Sequence, residues 1–195
     1  MKTLQTPIST TYEVKQSKFI AYLVPYNEFE TMLSRLKSEH PKARHFVTAY
    51  RYLNEHAQIV EGSSDDGEPK GTSGKPSLAV LAGNDLINAA VITVRYFGGT
   101  KLGTGGLVRA YTQAVSGALA TASLREYIKK EEEEFSCEYR DVPRIEYLLH
   151  GYGVGELERK FGVFGVNWHV SGSDIALDRF FAAAGRLIKR TTGNF

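Results

Sequence analysis

Residues 88–111 read NAAVITVRYFGGTKLGTGGLVRAY. The first nine are nearly all apolar and largely β-branched, without alternation, the mark of a strand buried on both faces. Glycines at 98, 99, 103, 105 and 106 then break the pattern. Apolar residues return at helical spacing in Leu107, Ala110, Ala114, Ala118 and Leu119, which predicts a long helix over 106–127. Buried strand, glycine loop and helix frame an α/β layer. The loop between them is where bare backbone can approach a ligand closely.

Upstream, Ser17–Val24 reads as a strand. Asn27 is a candidate N-cap for a helix through His40, with Phe29, Met32, Leu33 and Leu36 on one face. His45–Tyr52 and Gln58–Glu61 read as a hairpin turning at Asn54-Glu55-His56, and Lys75-Pro76 opens a short helix through Ala82. Downstream, Phe135–Arg140, Glu156–Phe161, Val163–Val170 and Arg186–Thr191 read as strands. Val142–His150 and Ser173–Gly185 read as helices, the second capped by Ser173 with Asp174 in its first turn. The order βαββαβ is that of a ferredoxin-like unit. The fold class is therefore α+β, in two domains placed at 1–130 and 131–195.

The boundary rests on charge. Residues 1–125 hold 14 Lys+Arg against 10 Asp+Glu, whereas residues 126–195 hold 10 against 12. The change falls at the solvated run Lys129-Lys130-Glu131-Glu132-Glu133-Glu134, read as an exposed helix end or strand lead-in. A net charge of +2 over 195 residues is too even for a protein that coats duplex DNA, so a nucleic-acid surface must be local. One cysteine, Cys137, excludes an intramolecular disulfide and a multi-cysteine zinc site. The N-terminus has no apolar signal core and no run approaches the roughly 18–20 residues that span a bilayer, so a cytoplasmic protein with no membrane partner is expected.

Familiar catalytic signatures fail on inspection. Gly74-Lys75 is followed by Pro76, with Pro69 where a Walker A loop needs its first glycine. The run from Gly103 to Val108 lacks the third glycine of a dinucleotide fingerprint. The histidines at 40, 45, 56, 150 and 169 have no zinc-ligand spacing, and no nucleophile elbow occurs. No catalytic residue and no metal ligand is assigned.

Two segments remain, SDDGEPKGTSGKP at 64–76 and VRYFGGTKLGTGGLVRAY at 94–111. Together with Ser17-Lys18-Phe19-Ile20-Ala21, His45 and Ala49-Tyr50-Arg51, they resemble the signature of the IMPACT/YigZ family, strongly over about 15–125 and by layout alone over 135–195. The resemblance implies an N-terminal α/β two-layer domain similar to a small-subunit ribosomal protein domain and to domain IV of elongation factor G. It also implies a ferredoxin-like C-terminal domain. Eukaryotic members are similar to regulators of translation, and nucleic-acid or ribosome binding is the role implied for bacterial ones.

The residues themselves supply a chemistry. Gly98, Gly99, Gly103, Gly105 and Gly106 expose N–H groups at a helix N-terminus, and Arg95, Lys101 and Arg109 add charge, an arrangement suited to phosphate. The same glycines could equally serve only to turn the chain and pack the helix. Asp65, Asp66 and Glu68, followed by Lys70, Thr72 and Lys75, could hold Mg²⁺ or accept loop N–H groups and Arg95 or Arg109. Lys18, Arg44, His45 and Tyr96 complete the anion or nucleic-acid candidates. Among the aromatics near this charge (Tyr50, Tyr52, Tyr96, Phe97 and Tyr111), an exposed one could stack a base, but core positions are expected, Phe97 above all. Trp168 and Phe164 are expected to fill the C-terminal core. Three readings stand: a translation-associated protein contacting RNA or the ribosome, a translation-related protein partner without nucleic acid, and a metal-assisted enzyme on a small phosphorylated substrate. Oligomeric state is not set by any motif.

Overall fold

The protein is described from a computed structural model over residues 1–190. It divides into two compact units, Met1–Tyr127 and the chain from Ile128 onward.

In the first unit, β1 (Lys2–Leu4), β2 (Ile8–Val14), β3 (Ser17–Pro25), α1 (Phe29–Glu39), β4 (His45–Leu53), β5 (Ile59–Ser64), α2 (Gly74–Gly83), β6 (Ala89–Tyr96), α3 (Thr104–Thr121) and β7 (Leu124–Glu126) follow in order. Strands β2-β3-β6-β4-β5 form an antiparallel sheet with β6 at its centre. All but the last residue of β6 are buried. Successive side chains of a strand point to opposite faces. Ala89 and Val91 therefore join Leu107, Ala110, Tyr111 and Ala114 of α3 in one core, while Ala90, Ile92 and Val94 join Phe29, Met32 and Leu36 of α1 in another. Helices thus cover both faces, which corrects the two-layer expectation. A strand apolar at both parities needs cover on both sides.

Other expectations shift at their ends. Asn27 makes no capping bond: the chain passes through a 3-10 turn over Tyr26–Glu28, and α1 begins at Phe29. Helix α3 stops at Thr121, where the Thr121 hydroxyl donates to the Ala118 carbonyl at 3.0 Å and Ala122 turns extended. The residues beyond form β7, paired antiparallel with β1, because partners distant in sequence outweigh local helical spacing.

The second unit contains β8 (Glu131–Cys137), α4 (Val142–Tyr152), β9 (Gly155–Phe161), β10 (Val166–Gly172), α5 (Asp174–Ala184) and β11 (Ile188–Arg190), with sheet order β11-β8-β10-β9, all antiparallel. Phe135, Ile145, Trp168, Val170 and Phe180 are its core. The Ser173 hydroxyl accepts the Ala176 N–H at the start of α5, as its sequence position predicts. The four glutamates are the first half of β8 rather than a lead-in, and Arg140 lies in a 3-10 turn beyond that strand. Phe164 is 91% exposed in the β9–β10 turn and fills no core; Gly162 and Gly165 on either side close the turn before a strand can bury it. Arg186 and Leu187 form a 3-10 turn, and Thr191, the end of the expected last strand, lies outside the described residues. Among the described residues no helix is long and apolar enough to cross a membrane.

Candidate functional site

Where β6 ends, the chain leaves the sheet through Phe97 and the glycine loop. Gly98 is pressed against the β2–β3 turn: a Cβ there would overlap the Gln16 carbonyl carbon and Ser17 N. Its N–H donates to Ser17 Oγ at 3.1 Å. Only glycine permits that approach. Gly103, at φ +72° and ψ 167°, takes a positive-φ conformation that favours glycine and turns the chain into α3. Helix α3 has neither a side-chain cap nor an acidic residue in its first turn. Its leading N–H groups, which have no intrahelical partner, and the positive end of its dipole are left to other acceptors.

Beside that terminus opens a cavity of about 460 Å³, lined by Arg44, His45, Glu68, Pro69, Arg95, Phe97, Lys101, Leu102, Gly103, Thr104 and Leu107. Arg44 and Lys101 are solvent-accessible. Arg95 is not: it is 6% exposed, Glu68 is 8% exposed, and Arg95 Nη1 donates to Glu68 Oε1 at 2.5 Å. The same oxygen accepts the Tyr111 hydroxyl at 2.8 Å. Burial, followed by the Glu68 charge, pushes the Tyr111 hydroxyl pKa far up, so it serves as a permanent donor. The Arg95 guanidinium lies 5.3 Å from the Phe19 ring centre and 5.7 Å from that of Phe97. Its Nε is buried without a hydrogen-bond partner among the described residues. An unmatched buried donor costs about 1–3 kcal/mol, more when charged.

The acidic loop is held by its own carboxylates. Asp65 Oδ1 accepts the Ser73 hydroxyl at 2.7 Å, Gly74 N–H at 2.8 Å and Ser73 N–H at 3.1 Å, while Oδ2 accepts Gly71 N–H at 2.7 Å. Burial alone would raise its pKa; the bonds from Gly71, Ser73 and Gly74 overcome that and hold the carboxyl at about 2. Asp66 fastens the loop to β4: its Oδ2 accepts Phe46 N–H and its carbonyl meets His45 Nδ1 at 2.7 Å. A carbonyl can only accept, so Nδ1 carries the proton and Nε2 faces Glu68 Oε1 at 3.9 Å. Each of the three carboxylates is thus engaged within the fold: Asp65 by loop N–H groups, Asp66 by Phe46 N–H of β4, and Glu68 by Arg95 and Tyr111. Among the described residues no group of three or more His, Cys, Asp or Glu side chains could hold a metal ion.

Of the residues singled out in the sequence, Arg44, His45, Glu68, Arg95, Lys101 and Gly103 meet at the cavity. Gly98 and Gly99 shape the loop, and Gly105 and Gly106 lie in the first turn of α3. Arg109 is exposed on α3, its Nη1 3.7 Å from where a Cβ on Gly105 would stand. Lys75, Thr72, Lys18, Lys70 and Tyr96 do not line the cavity. Lys75 borders a separate depression with Pro76, Ala79 and Val108. Thr72 is buried and donates to the Pro69 carbonyl. Lys18 and Lys70 are exposed. Tyr96 faces α1, where its hydroxyl meets His40 Nδ1 at 2.8 Å. Phe97, expected in the core, is 46% exposed and lines the cavity with Leu102 and Leu107. The close approach at Gly98 takes the chain off the sheet before Phe97 can pack in it.

Fold and cavity define a two-unit α+β protein with a pocket that combines apolar and cationic side chains. Residues 15–119 match the Impact N-terminal domain. The chain is 38% identical over 152 residues to an IMPACT family member of Haemophilus influenzae, covering 76% of this chain and 74% of that one. It is 38% identical over 146 residues to the IMPACT family member YigZ of Escherichia coli, covering 73% and 72%. A solved crystal structure described as a hypothetical protein superposes with a TM-score of 0.75 at 30% identity, covering 99% of this chain and 97% of that one. The chain belongs to the IMPACT family.

Proposed function

We propose that this chain is a translation-associated binding protein that contacts RNA, on or near the ribosome, through the cavity at the N-terminus of α3. One observation carries the reading: an uncapped helix start shares a cavity with the solvent-accessible cations Arg44 and Lys101. The carboxylate lining that cavity, Glu68, is already neutralised by Arg95. Such a site favours an anion, and phosphate is among the anions that helix N-termini and Arg/Lys pairs bind. The role in translation rests on the family and on the likeness its signature implies to domains of a ribosomal protein and of elongation factor G. The βαββαβ order and 4-1-3-2 sheet order of the second unit support the ferredoxin-like part of that likeness. The domain limits 1–130 and 131–195, and a cytoplasmic location without cofactor, belong to the same proposal.

A second reading has its own support. Phe161, Val163 and Phe164 are 69%, 87% and 91% exposed around the β9–β10 turn, and exposed apolar clusters mark protein contacts. Sucrose-gradient sedimentation of the tagged protein in native lysate separates the two. On the RNA reading, wild type moves with ribosomal particles at low salt, and Lys101→Ala/Arg109→Ala or high salt returns it to the top. Partners retained after nuclease treatment would favour the protein reading, and wild type at the top under all conditions would overturn the RNA reading.

A further inference from the structure

Accepting the RNA reading, we infer that the cavity receives one unpaired nucleotide, its phosphate at the start of α3 and its base against Phe97, so that the protein selects single strands over duplex. A helix N-terminus beside two lysine or arginine side chains would bind any phosphate. Three further observations narrow the ligand.

The first is shape. The site is concave and about 460 Å³ in volume, within the range of small-ligand pockets. Duplex is read by an element that projects into a groove, or by cations spread over a convex surface. A pocket of this size admits a nucleotide only when it is free of its partner strand.

The second is the mixed lining. Phe97, Leu102 and Leu107 share the cavity with Arg44 and Lys101. Inorganic phosphate has no use for apolar side chains, whereas a base does. Phe97 keeps 46% of its surface open, and its ring is steadied by the Arg95 guanidinium 5.7 Å from its centre. Aromatic rings held beside arginine are the usual platform for unstacked bases.

The third is a buried donor. Arg95 lines the cavity at 6% exposure and retains a donor, Nε, with no partner among the described residues. Glu68 uses Oε1 for both Arg95 and Tyr111, while Oε2 accepts no hydrogen bond from the described residues. The ring nitrogens and carbonyl oxygens of a base are acceptors of the kind that Nε lacks.

Fluorescence anisotropy on the full chain tests this, with a labelled 12-nucleotide single-stranded RNA and the same strand in duplex, at one fixed salt concentration. Single-stranded RNA is expected to bind at least tenfold more tightly. Phe97→Leu should weaken single-stranded binding by about 5- to 160-fold, the range of one lost base stack, while duplex binding stays unchanged and Phe97→Tyr restores most of the loss. A nucleoside monophosphate should compete better than inorganic phosphate. Equal affinity for both forms, with Phe97→Leu silent and Lys101→Ala weakening both, would overturn the nucleotide pocket and leave the RNA reading standing. Binding of neither form would overturn both.

Discussion

The Glu68 carboxylate and the Arg95 guanidinium meet at 2.5 Å with both side chains withdrawn from water, one from the acidic loop and one from the end of the central strand. This pair ties the two motif segments together. It also decides the sign of the cavity, because it cancels the Glu68 charge and leaves Arg44 and Lys101 to set the field there. Two of the candidate residues therefore act on the site by neutralising each other.

Breaking that pair strands a charge in a low-dielectric setting. Glu68→Gln or Arg95→Met alone is expected to lower stability by about 3–5 kcal/mol in urea unfolding. The double variant Glu68→Gln/Arg95→Met should be clearly less destabilised than the sum of the two. Simple additivity would show that the residues are not energetically coupled.

Asp65 sets an acid limit on the loop. Its folded pKa is held at about 2, below the ordinary carboxylate value, so it stabilises the fold fully above about pH 4 and loses that contribution as pH falls toward 2. The expected size is about 1–2 kcal/mol after allowance for solvent screening. Melting temperatures of wild type and Asp65→Asn, measured between pH 2 and 7, should differ at neutral pH and converge at the acid end. A constant difference across the range would rule out the linkage.

Gly98→Ala places a methyl group into the Gln16–Ser17 backbone, which cannot move without disturbing the β2–β3 turn. Overpacking of this kind costs about 1–3 kcal/mol or more. Gly83→Ala is the control, at the end of α2 with nothing within 4 Å of the added carbon, and should be neutral or stabilising by up to about 1 kcal/mol. Chemical unfolding of both variants checks the contrast.

Under the proposed function, Lys101→Ala and Arg44→Ala should weaken RNA binding across sequences. The slope of log K against log salt should become shallower by about 0.7 for each single-strand phosphate that the variant no longer neutralises. Affinity measured at several salt concentrations reads this directly. An unchanged slope would mean that these side chains touch no phosphate.

Much of the architecture is legible in the sequence because local patterns and burial agree. The nearly all apolar, β-branched run before Arg95 reads as a strand covered on both faces, and it is the centre of the sheet. The β4–β5 hairpin turns at Asn54–Ala57, and Ser173 caps its helix as its position suggests. Strands β1 and β7 carry three residues each, with no period long enough to read, and exist because the two ends of the unit pair with each other. Phe164 departs from expectation for a related reason. Hydrophobicity alone says that a side chain prefers burial, but not whether the chain geometry offers it a core.

The amino-acid sequence by itself determined the order of most elements, the family, and the two glycine-bearing segments with their charges, since these depend on neighbours within a few residues. It left open whether the acidic residues would hold a metal or a loop. It also left open whether Arg95 would face a ligand and whether Phe97 would pack inside. Those answers depended on which groups tertiary folding brought within hydrogen-bond reach. Asp65 found the N–H groups of Gly71, Ser73 and Gly74, Glu68 found Arg95 and Tyr111, and the bare backbone at Gly98 lifted Phe97 out of the sheet. Burial of one opposite-charge pair, a long-range event, turned a mixed cluster of acids and bases into a cavity with a positive mouth.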